Sequence, residues 1–140
     1  MNNFRMAPLF LALGFLLFAT TPLLQSCSSS YDAVGMQNVA NLSTKLTTLM
    51  GKASTSTYDP NKSEITEVAA DLKKAEEHGA MQKRNQEIAN SWQILRTEQV
   101  EPFLTRWKEG KLDKDFVKEA TAQVQKSLDA IKKAEQAKRK

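Results

Sequence analysis

Apolar residues recur along this chain at the spacing of a helix, not of a strand. Val39, Leu42, Leu46, Leu49 and Ala53 are three or four positions apart, and Met36 and Met50 widen the stripe. This predicts a helix over roughly 32–53, with Asp32 as its N-cap and Gly51 and the Ser/Thr run 54–57 closing it. A loop over 58–63 offers two starts for the next helix: Pro60 behind an Asp59 cap, or Ser63. Ile65, Val68, Ala69, Leu72 and Ala75 form the second stripe, which should stop near His78-Gly79, where glycine suits a left-handed cap. A third stripe runs through Met81, Ile88, Trp92 and Leu95, interrupted by Asn85. Pro102 then intrudes, yet Val100, Phe103, Leu104 and Trp107 keep helical spacing. The expectation is a bend or a short new helix from Glu101-Pro102 to Glu109-Gly110. The last helix opens on Asp113 and buries Val117, Ala120, Val124, Leu128 and Ile131, with Phe116 on its flank. Beyond Ile131 the stripe fades, and 132–140 reads as a solvated basic tail. No segment alternates with period two between turns, so no sheet is expected. The pattern is all-α: an antiparallel up-down bundle of about four helices over 32–131, or a three-helix bundle with a broken long third helix.

Ahead of these stripes lies a different kind of sequence. Residues 1–5 carry Arg5 and no acid, and Leu9 to Ala19 is an unbroken apolar run of eleven residues. A positive start followed by such a run is the build of a secretory signal. The apolar character reaches from Met6 to Leu24, but Thr20, Thr21 and Pro22 interrupt its end, leaving an uncleaved anchor as the alternative. The 140-residue chain has one cysteine, Cys27, so no disulfide forms within it. Leu24-Gln25-Ser26-Cys27 resembles the lipobox of bacterial lipoproteins, with Leu three residues before the Cys and a small residue just before it. Gln25 departs mildly from the Ala or Ser usual at its position. The resemblance implies cleavage after Ser26, diacylglycerol on the Cys27 sulfur and, in many such proteins, a further acyl chain (palmitate-like) on the new amino group. It also implies outer-membrane sorting with a periplasm-facing domain, because Ser28-Ser29 holds no Asp after the Cys. Residues 27–31 would then be the lipidated Cys and a short tether.

Charge adds a local feature. Without Arg5, nineteen Lys and Arg face sixteen acids, a net of +3 for residues 27–140. Residues 132–140 alone carry +4, so the remainder is near −1, which does not suit a nucleic-acid partner. Lys138, Arg139 and Lys140 make a candidate envelope-binding tail, attracted to anionic lipid or to cell-wall polymer. Cys27-Ser28-Ser29 and Arg139-Lys140 also resemble the two ends of the murein lipoprotein, which would make Lys140 a point of covalent attachment to peptidoglycan; the sequence between them departs completely.

Candidate chemistry is sparse. Trp92, Phe103, Trp107 and Phe116 are either the bulky part of the core or a pocket or partner surface beside Arg96, Arg106 and Lys108. His78, the only histidine, is expected as a solvated helix end, and no metal-ligand spacing accompanies it. No nucleophile-base arrangement and no glycine-rich phosphate loop appears, so no enzyme, metal or cofactor beyond the lipid on Cys27 is expected. The expected role is a membrane-anchored structural or interaction module whose partner is an envelope protein or peptidoglycan. The alternative is a ligand-binding module with an apolar cavity near Trp92, Phe103 and Trp107.

Overall fold

The computed structural model describes residues 32–82 and 85–138. The elements run α1 (Ala33–Lys52), a 3-10 turn (Asp59–Asn61), α2 (Lys62–Met81), α3 (Gln86–Ile94), a π-helical segment (Leu95–Val100), α4 (Glu101–Lys108) and α5 (Lys114–Ala137). Among the described residues there is no strand. The protein is an all-α bundle of four rods, in which α3, the π segment and α4 form the third. Its contacts pair α1 with α2, α2 with α3, α3 with α5 and α5 with α1, which closes a ring around one core.

Cross-rod bonds fix the direction of each neighbour. Lys45 binds both Glu67 and Asp71, and Lys52 binds Glu64, so α1 and α2 run oppositely. Arg96 reaches back to Glu76 at 2.7 Å, Gln99 exchanges hydrogen bonds with Ser127, and the Ser43 hydroxyl donates to Gln125 at 3.0 Å. Each neighbouring pair is therefore antiparallel. One end of the bundle, the lower end, gathers Asp32, His78 to Gln82, Asn85 and the C-terminus of α5. The upper end gathers 53–62 and 107–114.

The stripes that predict the rods are the ones that pack. Leu46, Leu49, Leu95, Trp107 and Leu128 are fully covered, each worth about 1.5–3 kcal/mol of burial. At the upper end the Trp107 indole N–H donates to the Ser56 carbonyl at 2.9 Å, and the Leu112 N–H to the Ala53 carbonyl at 2.8 Å. Gly110, at φ 150°, makes the turn out of α4, a conformation that glycine reaches without strain.

Several element ends differ from the sequence expectation. α2 passes through His78-Gly79 to Met81, and Gly79 is no left-handed cap. A Cβ there would lie 3.4 Å from the Ala89 Cα, so this glycine lets α2 and α3 approach closely. Met81 belongs to no core stripe: it ends α2 and is 75% exposed. Neither Asp59 nor Ser63 caps α2; Asn61 holds the cap position, behind the 3-10 turn. The short helix expected from Glu101-Pro102 is present as α4, and what the sequence did not show is how the third rod continues into it. The preceding turn widens to π, with the Glu101 N–H bonding the Arg96 carbonyl five residues back, and Pro102 enters in the first turn of α4, where its missing N–H is tolerated. Finally, α5 does not fray after Ile131. It runs to Ala137, and Glu135, inside the expected solvated tail, is 1% exposed.

Candidate functional site

The lower end concentrates the buried polar chemistry of the described residues. Asp32 caps α1, its carboxylate accepting the Gly35 N–H at 2.8 Å. The same carboxylate receives His78 Nε2 from the last turn of α2, at 2.8 and 2.9 Å to its two oxygens. Burial pushes the Asp32 carboxyl up, but the Gly35 N–H, His78 and the nearby charge of Lys138 outweigh it and hold the group below its ordinary value. The expectation of a solvated His78 is thus corrected: its side chain is 20% exposed and joins α2 to α1.

Glu135 adds a second buried carboxylate. It pairs with Lys138 at 2.5 Å, one helical turn on. It fits because position 35 has no side chain: a Cβ on Gly35 would stand 2.7 Å from Glu135 Oε1 and 2.9 Å from Asp32 Oδ2. Asn85 completes the cluster. It sits at the N-cap position of α3 yet makes no side-chain cap, and it is 3% exposed. Its Oδ1 and Nδ2 are both buried without a partner among the described residues, a state that costs about 1–3 kcal/mol. Beside it, Glu87, Ile88, Ala134, Ala137 and Lys138 line a cavity of about 320 Å³.

The four aromatic candidates do not surround one cavity. Trp92 and Trp107 are at most 1% exposed and lie fifteen positions apart on one rod, about 22 Å. Phe103 and Phe116 stack at 6.0 Å across the third rod and α5, with the Arg106 guanidinium 4.3 Å from the Phe116 ring. They line a groove of about 310 Å³ with Pro102 and Gln123. Trp107 borders a separate hollow of about 630 Å³ at the upper end, with Tyr58 edge-on at 5.9 Å and Lys108 5.4 Å from the Tyr58 ring. Of the tail candidates, Lys138 is held by Glu135, whereas Arg139 and Lys140 lie outside the described residues, as does Cys27.

Sequence reasoning missed the lower-end cluster. Asp32 was legible as a cap and Asn85 as a polar break in a stripe, but Gly35, His78, Glu135 and Lys138 are brought together only by the antiparallel topology. Among the described residues no group of three or more His, Cys, Asp or Glu side chains is placed to hold a metal, and no helix is long and apolar enough to cross a membrane. Comparison of the chain with protein-family models, with curated proteins and with solved structures finds no match.

Proposed function

We propose that this chain is an exported lipoprotein, anchored through acylated Cys27, whose bundle stands lower end down on the membrane and offers its flanks and upper end to an envelope partner. One observation carries the reading: the described region enters and leaves the bundle at the same end. Asp32 lies five positions after Cys27, a reach of at most about 18 Å, so an acylated Cys27 would hold that end near the headgroups. The surface there suits such a neighbour. Val34 and Met81, two of its exposed side chains, are large and apolar, and Lys132 and Lys133 are exposed on the last turns of α5. Two or three acyl chains anchor firmly, whereas one does so only marginally. An outer-membrane, periplasm-facing address follows from the resemblance of the residues around Cys27 and belongs to this proposal.

The role is that of a structural or interaction module, not of an enzyme. Acids of α2 pair with lysines of α1 and with Arg96, and among the described residues no cleft gathers a nucleophile with a base. The aromatic-pocket alternative has less support, because its residues divide between the core, a groove and the upper hollow. The test is Cys27→Ser in the producing cell, with membrane fractionation and intact-mass analysis. The native chain should partition with membranes and show a mass lacking 26 residues and carrying two or three acyl chains. The variant should lose the acyl mass and leave the membrane fraction, or accumulate unprocessed. A variant that is processed and partitions like the native chain overturns the proposal.

A further inference from the structure

At the upper end the loop over 53–61 and the turn over 107–112 are tied to each other. The Trp107 indole N–H and the Leu112 N–H donate to the Ser56 and Ala53 carbonyls. Asn61 Nδ2 donates to Ser56 Oγ at 3.0 Å and to the Thr57 carbonyl at 2.8 Å, and Tyr58 stands edge-on to Trp107. The inner polar groups of these loops are thus met, and the outer surface they form is held in shape. That surface is the hollow of about 630 Å³, in the range of about 300–1,000 Å³ usual for small-molecule sites. Its lining is the reverse of the inner side. The Thr57 and Tyr58 hydroxyls, Lys108 Nζ and the Glu109 carboxylate line it with no hydrogen-bond or ion-pair partner among the described residues.

The charges around the hollow cancel. Lys62 and Lys108 are balanced by Asp59 and Glu109, and Asp59 already holds Lys62 at 2.7 Å. A phosphate or other anion would meet two carboxylates, and a cation would meet two ammonium groups. Donors and acceptors are instead offered side by side, which suits a polar ligand without net charge. A peptide finds little here, because the hollow has no strand edge and no row of apolar pockets. Trp107 is fully covered, so of the lining residues Tyr58 presents the aromatic surface. Lys108 Nζ rests 5.4 Å from that ring. Such a contact is weak where water has access, and the flexible lysine stem lets the ammonium swing aside and donate to a ligand. The ring face then left open is electron-rich and attracts the polarised C–H face of a sugar ring.

We propose that the upper hollow is a carbohydrate site, in which an uncharged pyranose, such as an N-acetylated amino sugar of a glycan, stacks on Tyr58 while Lys108, Glu109 and the Thr57 hydroxyl bond its hydroxyl and acetamido groups. The orientation proposed above turns this end away from the membrane, where a cell-wall glycan is the partner it would meet. That source of the sugar rests on the orientation; the site itself does not.

The experiment titrates the full chain, purified in a detergent without a sugar headgroup, with the trimer of N-acetylglucosamine. NMR follows the Tyr58 and Gly110 amides and the Trp107 indole N–H, with the Ala137 amide at the lower end as reference. Saturable shifts of the first three and none at Ala137 are expected, and the midpoint should not move with salt, since the ligand carries no net charge. Tyr58→Ala should weaken binding by about three- to tenfold through loss of the ring. Because Tyr58 also packs on the core, exposed Glu109→Ala provides a second variant that keeps the fold, and it should weaken binding by about two- to tenfold through loss of a hydrogen bond. No saturable shift, an affinity that falls as salt rises, equal binding of inorganic phosphate or of an uncharged tripeptide, or undiminished binding in both variants would overturn the site. The chain is then sedimented with purified peptidoglycan sacculi, with and without the trimer as competitor. Cosedimentation that the trimer displaces supports a cell-wall glycan as the ligand. Binding of the trimer without cosedimentation supports the site with another source of sugar and counts against the wall-facing orientation. The Cys27→Ser test of the anchor can fail without altering either result.

Discussion

Gly35 and Gly51 stand on the same helix and should answer an added methyl in opposite ways. At Gly35 the new Cβ meets Glu135 Oε1 at 2.7 Å and Asp32 Oδ2 at 2.9 Å, on carboxylates that Lys138 (through Glu135 Oε2) and His78 hold in place. Gly35→Ala should therefore destabilise by about 1–3 kcal/mol. At Gly51 nothing lies within 4 Å, and Gly51→Ala should stabilise by about 0.5–1 kcal/mol by lowering the entropy of the unfolded chain. Urea unfolding of both variants checks the pair. Asp32 gives a pH signature of known sign. Its folded carboxyl titrates below its ordinary value of 3.8, so its contribution is complete above about pH 4 and drains as pH falls further. Asp32→Asn keeps the capping oxygen and removes the charge. The variant should be less stable than the native chain at neutral pH, and the gap should close in acid; a gap constant between about pH 2 and 6 would contradict this account. At this scale the sequence is legible where a residue acts on its own neighbours, as Asp32 and Asp113 do in capping α1 and α5. It is silent where the partner is remote, as for His78, 46 residues from Asp32.

Among the elements, the middle of each rod was legible and the ends were not, for a physical reason. Stripes such as Leu42-Leu46-Leu49 or Val124-Leu128-Ile131 are repeated local statements about one face, whereas a helix end is settled by whatever packs over it. The stripe of α5 fades at Ile131, yet the helix continues because Glu135, polar by type, finds Lys138 and the notch over Gly35. Likewise, Pro102 marked the start of the short helix α4 but could not say that a wider turn before it would keep the rod continuous. The Glu135–Lys138 pair makes the α5 end testable. Lys138→Met leaves a buried carboxylate without its cation and should cost about 3 kcal/mol. Glu135→Met leaves only a lysine that can reach water and should cost less. The double variant should recover most of the loss, since an apolar pair of similar volume replaces a buried ion pair at little or no penalty. A double-mutant cycle by denaturant titration measures the three; additive effects would mean that the pair is not coupled.

For the whole molecule, the bundle's length turns an orientation into a measurement. α5 has 24 residues, about 36 Å from the upper to the lower end. A lipoprotein held at Cys27 with its lower end against the bilayer should feel headgroup-bound nitroxides only there. In vesicles doped with such lipids, the amides of Val34, Met81 and Ala137 should broaden strongly, whereas those of Thr57, Tyr58 and Gly110, at the far end of the rods, should not. On the proposed orientation, Met81→Asp, which puts a charge on an exposed side chain at the lower end, should lessen the broadening at Ala137 without changing the amount of protein in the membrane fraction, because the proposed acyl chains would hold it there regardless. Raising the salt should have a similar and smaller effect by screening Lys132 and Lys133 from anionic lipid. Uniform broadening along the rods would mean a bundle lying flat, and none at either end a bundle held away from the surface. Either pattern would overturn the lower-end-down orientation while leaving the proposed anchor at Cys27 untouched.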